Sequence, residues 1–133
     1  MHDYRITDHL RERYVERKNK KFAHLRQCKG CQLCRDLAYE INEILRNRRQ
    51  VDQEIRSLLA VAKEDRSFLN DSNFMFDYYE KYGFDHNIRF FVSEPLVFVC
   101  IEDKNGSKVI PTCLCSDRHI AVKHTKYKKK VHQ

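Results

Sequence analysis

Apolar residues change their spacing twice along this chain. Near the start, Leu10 and Tyr14 stand four apart behind Thr7 and Asp8. Either of those polar side chains can accept a bond from an orphan amide of a first helical turn, so a short helix is predicted there. After the basic connector Lys18-Asn19-Lys20-Lys21, a longer pattern begins. From about residue 35 to 64, Leu37, Ala38, Ile41, Ile44, Leu45, Val51, Ile55, Leu58, Leu59 and Ala62 recur in steps of three and four with no Pro or Gly between them. That spacing predicts helix throughout. One continuous helix would be about 45 Å long at 1.5 Å per residue, more than the width of a domain this size. It either protrudes and pairs with another helix or breaks near Arg46-Asn47-Arg48-Arg49-Gln50, where Arg48 takes a place that the heptad would give to an apolar residue.

A row of aromatics follows: Phe68, Phe74, Phe76, Tyr78, Tyr79, Tyr82 and Phe84. It reads as the lid of a core ahead of a base-stacking platform. Asp77 to Tyr82 predicts a short helix that stops at Gly83. From Ile88 the period becomes two. Strands are predicted over Ile88–Val92, Leu96–Glu102 and Val109–Cys115, with Asp103-Lys104-Asn105-Gly106 as a hairpin turn. Pro111 lacks an amide donor, which puts its strand at an edge or marks a bulge. Ile120-Ala121-Val122 is read as a short fourth strand or a tail turn. The expected fold class is α+β: N-terminal helices, including one long helix or helical hairpin, packed on a C-terminal antiparallel sheet of three to four strands. A chain of 133 residues suits a single domain.

Charge narrows the partners. Lys and Arg number 26 against 19 Asp and Glu, a net charge of +7. That favours an anionic partner, nucleic acid or ribosome ahead of a membrane surface. Part of the excess sits in a basic tail at about 123–133. No apolar run is long enough to span a bilayer and no apolar leader opens the chain, so a cytoplasmic protein with no membrane partner is expected. Six cysteines in such a chain point away from a disulfide framework. Cys28, Cys31 and Cys34 form C-x-x-C-x-x-C, and three thiols so spaced on a turn or helix could ligate one metal, with a fourth ligand such as His24. Zinc is then the candidate structural ion, although the distant second pair of the strongest zinc patterns is missing. The competing reading makes Cys31 and Cys34 small apolar helix residues and leaves Cys28 exposed. Cys100, Cys113 and Cys115 read as packed strand residues.

The opening helix carries candidate chemistry. His9, Arg13 and Arg17 follow at steps of four and so share one stripe. An imidazole exchanges protons near neutral pH, and guanidinium groups fork onto phosphate oxygens. Together they would suit a phosphodiester. The plainer alternative is a solvated, Arg-rich helix face.

Ile6-Thr7-Asp8-His9, followed by Arg13-Tyr14 and Glu16-Arg17, resembles the opening of small phage and bacterial proteins similar to the barnase–RelE-like ribonuclease superfamily. Glu54-Ile55, Val97-Phe98-Val99 and Val109-Ile110-Pro111-Thr112 resemble that family's second helix and hairpin. The likeness covers about residues 4–17 and 51–115; the stretch at about 19–50, with the cysteine triplet, departs from it and reads as a helical insertion. The resemblance implies a helical pair on a four-stranded antiparallel sheet and a metal-independent endoribonuclease of toxin character that needs no cofactor. His9 would then deprotonate the ribose 2′-hydroxyl, while Arg13 and Arg17 hold the scissile phosphate. A second acid would come from Arg118, His119, His124 or Tyr127, which follow the last clear strand and could fold back over the sheet as substrate contacts. RNA or the ribosome would be the target, with an antitoxin or host protein as a further partner. Two other classes stand beside this one. One is a phage-type regulatory protein that uses its long helix to bind a host protein or to form a homodimer. The other is a zinc-stabilised nucleic-acid-binding module without catalysis.

Overall fold

Leu96–Glu102 is apolar at every position but its last, so it has no polar face to offer water. A strand of that kind is stable only with both sides of its sheet covered. The computed structural model, which describes residues 4–28 and 30–115, shows how the chain does this. In order, the elements are β1 (Arg5–Ile6), α1 (Asp8–Lys18), a 3-10 segment (Lys20–Arg26), α2 (Gln32–Arg46), α3 (Arg48–Val61) and β2 (Lys63–Glu64). A second 3-10 segment (Arg66–Asn70), α4 (Ser72–Tyr82), β3 (Asn87–Ser93), β4 (Leu96–Glu102) and β5 (Lys108–Cys115) follow. The strand order is β1-β5-β4-β3-β2, with β1 parallel to β5 and the other pairs antiparallel.

The class is α+β, as the pattern predicts, but the sheet has five strands among the described residues rather than three to four. The two extra strands, β1 and β2, are two residues long and too short to show a period of two. The expected piece at Ile120-Ala121-Val122 lies outside the described residues.

One face of the sheet carries α1, α2 and α3. Leu10, Tyr14, Leu37, Ile41, Val51 and Ile55 pack with Phe91, Leu96, Phe98, Cys100, Ile110 and Cys113. The other face carries α4 and the Arg66–Asn70 segment, where Phe68 and Met75 meet Ile88, Phe90, Val97, Val99 and Ile101. Much of the aromatic row is spent here. The rings of Phe68, Phe74 and Tyr78 lie 4.8, 5.5 and 5.8 Å from that of Phe90. The helix that carries Phe74 and Tyr78 starts earlier than its apolar pattern suggests, because the Asp71 carboxylate accepts the Phe74 amide at 3.0 Å. It stops at Gly83, whose φ of +117° suits a residue without Cβ.

The long helical pattern breaks at Asn47, inside the polar run. Its backbone leaves the helical region and its side chain accepts the Gln50 amide at 3.3 Å, which starts α3. Arg48, the residue that interrupts the heptad, reaches Asp8 on α1 at 2.6 Å. Arg11 forks onto Asp52 at 2.7 and 3.1 Å. Tyr14 donates to Glu54 at 2.8 Å, and Lys18 binds the same carboxylate. These bonds set the rotation of α1 about its axis.

Among the described residues the far part of β5 is an edge, with a bulge at its start. β1 pairs only with Val109 and Ile110. Val99 faces Thr112 while Ile101 faces Val109, so Ile110 and Pro111 oppose Cys100 alone. Pro111 thus sits at a bulge, next to the edge. Thr7 caps α1 by accepting the Leu10 amide at 3.0 Å, and its hydroxyl lies 3.3 Å from the Ile110 and Pro111 carbonyls. The same residue therefore starts the helix and ties it to the bulge. Leu10 is 0% exposed and Tyr39 is 68% exposed. In chemical denaturation, Leu10→Ala is expected to cost about 2–5 kcal/mol. Tyr39→Ala should stay within about 0.5 kcal/mol. Similar losses for both would mean that α1 does not pack as described.

Candidate metal centre and cationic ridge

The 3-10 segment hangs on one buried anchor. Phe22 is 2% exposed in the helical core, and the Asn19 side chain accepts the Lys21 amide at 3.1 Å. The chain then turns back on itself, with the His24 carbonyl accepting the amides of Gln27 and Cys28 at 3.0 and 3.1 Å. Cys31 is the N-cap of α2 and Cys34 lies in its first turn. A turn against a helix start thus gathers four side chains. One donor atom from each of His24, Cys28, Cys31 and Cys34 lies within 4.8 Å of the others. His24 Nε2 is 3.2 Å from Cys31 Sγ, and Cys31 Sγ is 3.5 Å from Cys34 Sγ. A tetrahedral zinc ion with arms of ~2.3 Å separates its sulfur ligands by ~3.8 Å, so the spacing fits with small adjustments. The group could hold a metal ion, and three thiols with one imidazole form a donor set of the structural zinc type.

The alternative reading, with Cys31 and Cys34 as packed helix residues and Cys28 exposed, matches the burial of Cys34 alone. Cys34 is buried, whereas Cys28 and Cys31 are half-buried. Hydrogen bonds from the backbone of Gly30 and Cys31 lower the Cys28 thiol, and the backbone of Cys34 lowers Cys31. Burial, followed by the neighbouring thiols, pushes Cys34 up to about 11. A helix start favours negative charge at such sulfurs. On the sheet, Cys100 and Cys113 are buried as expected, and burial pushes the Cys113 thiol up to about 12. Cys115 is only half-buried; its sulfur lies 3.5 Å from Arg26 Nη2.

The stripe on α1 runs along the open edge of β5. His9 is exposed. Arg13 is partly buried and pairs with Glu16 at 2.8 Å through one guanidinium nitrogen. Arg17 is half-buried and donates to the Cys113 carbonyl, an acceptor that an edge strand would otherwise present to a partner. The three residues act on one another. Desolvation, then the Arg13 charge, lowers the His9 imidazole below its ordinary 6.5, with Lys81 and Arg17 adding to the effect. Burial lowers the Arg17 guanidinium, and Arg13 and Arg26 contribute. Arginine keeps its charge through such shifts.

The ridge therefore contains His9, Arg13 and Arg17, as the spacing suggests, together with Arg26 and Lys81. Neither addition was legible from periodicity, since each comes from a different element and only the tertiary fold brings it near. Arg118, His119, His124 and Tyr127, the candidate substrate contacts, lie outside the described residues.

No family model, curated protein or solved structure matches the chain. Among the described residues, no helix is long and apolar enough to cross a membrane. Function has to be argued from the site itself. Desolvation, and then the charges of the ridge, hold the His9 imidazole below its ordinary value. The His9 signals in a proton NMR titration are expected to move with a midpoint below 6.5, and Arg13→Ala should shift it upward. Because the folded state binds this proton less readily than the unfolded chain, the group costs no stability well above pH 6.5, where it is neutral in both states, and destabilises the fold as pH falls below that. A midpoint at or above 6.5 would mean that His9 does not feel the ridge.

Proposed function

We propose that the protein is an RNA-binding module whose helical layer is anchored by a zinc ion at His24, Cys28, Cys31 and Cys34. The observation that carries the RNA reading is the cationic ridge. Three cations of α1 and its neighbours act on one imidazole along an open strand edge. Arg13 gives one guanidinium nitrogen to Glu16 and Arg17 gives one to the Cys113 carbonyl, so each keeps further N–H donors for phosphate oxygens. The chain's charge of +7 acts in the same direction over longer range. The donor chemistry of the His24 group supports zinc as the ion, in a closed, four-ligand role that needs no substrate.

A second reading, RNA cleavage, has its own support in His9. An exposed imidazole whose proton affinity is lowered by desolvation and then by neighbouring cations is suited to accept the proton of a ribose 2′-hydroxyl, and the cations would stabilise the charge developing on phosphate. The likeness of the opening residues to the barnase–RelE-like ribonucleases favours the same chemistry.

Binding of a short single-stranded RNA, followed against salt, tests the first reading. The zinc-loaded protein should bind. Arg13→Ala and Arg17→Ala should weaken binding and make its salt dependence shallower, by about one unit of slope per lost phosphate contact. Metal analysis should find zinc at a single site per chain. His9→Ala separates the two readings. If the protein cleaves, this variant should bind normally and lose about 10²–10⁴-fold in cleavage rate. If the wild type binds and does not cleave, the module is a binder. Unchanged affinity and salt slope in all three variants would reduce the stripe to a solvated helix face.

A further inference from the structure

We propose that zinc loading and RNA binding are thermodynamically coupled through the Lys20–Arg26 segment, which makes Arg26 a third arginine of the RNA surface. The inference rests on the RNA-binding reading above and extends it to regulation of that surface by metal.

The coupling follows from what this segment touches at its two ends. His24 belongs to the metal group, with its Nε2 3.2 Å from Cys31 Sγ. Two residues on, Arg26 Nη2 lies 3.5 Å from Cys115 Sγ. That sulfur is 3.8 Å from the Arg17 carbonyl, and the Arg17 guanidinium is bonded to the Cys113 carbonyl. A continuous run of contacts thus joins the metal group to the ridge. His24 and Arg26 sit on the same short piece of backbone, so whatever fixes one limits the other.

The segment has little else to hold it. It is seven residues of 3-10 helix, longer than this geometry usually sustains because its hydrogen bonds are poorly aligned. Phe22 is its one fully buried side chain, with Leu25 partly buried beside it. Lys21 is paired with Glu40, but both side chains are more than two-fifths exposed, and such pairs contribute little. The link to α2 passes through Gly30, where even an added Cβ would meet nothing within 4 Å. A metal bridging His24 to Cys28, Cys31 and Cys34 would pin the segment to the start of α2.

There is also something to pin it against. Arg26 is among the charges that act on Arg17, so placing it there costs repulsion in the free protein. A phosphate between them would turn that cost into attraction. The bound metal holds Arg26 where RNA needs it, and RNA removes the repulsion that works against the metal-bound arrangement. Linkage requires each ligand to raise the affinity of the other by the same factor.

The test measures both sides of that cycle. Affinity for a short single-stranded RNA is determined for zinc-loaded and zinc-free protein, and zinc affinity is determined by chelator competition with and without the RNA. The expected result is roughly tenfold tighter RNA binding in the loaded form, with the same factor in zinc affinity when RNA is present. Arg26→Ala, prepared with zinc, should retain the metal, bind RNA more weakly, and lose most of the coupling between the two ligands. This variant remains informative even if the zinc-free wild type loses structure, since it is compared while loaded. Equal RNA affinity with and without zinc, or wild-type affinity and coupling in Arg26→Ala, would overturn the inference and leave the RNA-binding reading standing. Absence of RNA binding by the loaded wild type would overturn both.

Discussion

The burial of β4 on both faces constrains everything else in this fold. A strand with apolar side chains up and down needs helices above and below. The chain supplies α1, α2 and α3 on one side and α4 with its aromatic row on the other. Leu10, Tyr14 and Val15 commit one side of α1 to that core, and Arg11 and Lys18 are taken up by Asp52 and Glu54 on α3. What remains for His9, Arg13 and Arg17 is the side along the open edge of β5. The ridge is therefore a consequence of packing. The three α1 residues lie on that side because the others on the same helix are needed in the core.

The edge itself ties the two candidate features together. β1 stops after Ile6, so among the described residues the outer side of β5 beyond Ile110 has no strand partner. Arg17 takes the Cys113 carbonyl, and Cys115, at the end of the strand, meets Arg26. Arg26 in turn shares its segment with His24. A basic surface and a candidate metal group that look unrelated along the chain thus become neighbours through one strand end. The proposed zinc ion acts on a turn whose one fully buried side chain is Phe22, with Leu25 partly buried beside it.

Much of this fold was legible from residue spacing, and the reasons differ by element. Leu96–Glu102 was readable to its last residue because strong β-formers end at an Asp-Lys-Asn-Gly turn. The break at Asn47 was readable because a polar run interrupts a heptad there. β1 and β2 were not, since two residues carry no period and their pairing is decided by tertiary packing. α4 begins five residues before the predicted helix because Asp71 caps it, a signal hidden among aromatics that do not repeat at helical spacing. At the candidate site, local spacing picked out the stripe on α1 and the cysteine triplet, with His24 as a candidate fourth ligand that the fold brings close to the three sulfurs. Arg26 and Lys81 could not be read the same way, because their nearness to the stripe is a matter of tertiary structure alone.

In the proposed arrangement a metal ion fixes the Lys20–Arg26 segment, and the joining of the two candidate features depends on it. Amide hydrogen exchange, measured residue by residue with and without zinc, addresses it directly. Zinc should slow exchange of the amides that bond within this segment and in the first turn of α2, while those of β4, already enclosed on both faces, change little. Equal exchange in Lys20–Arg26 under the two conditions would contradict this, because the segment would then owe its shape to Phe22 and its neighbours and not to the metal.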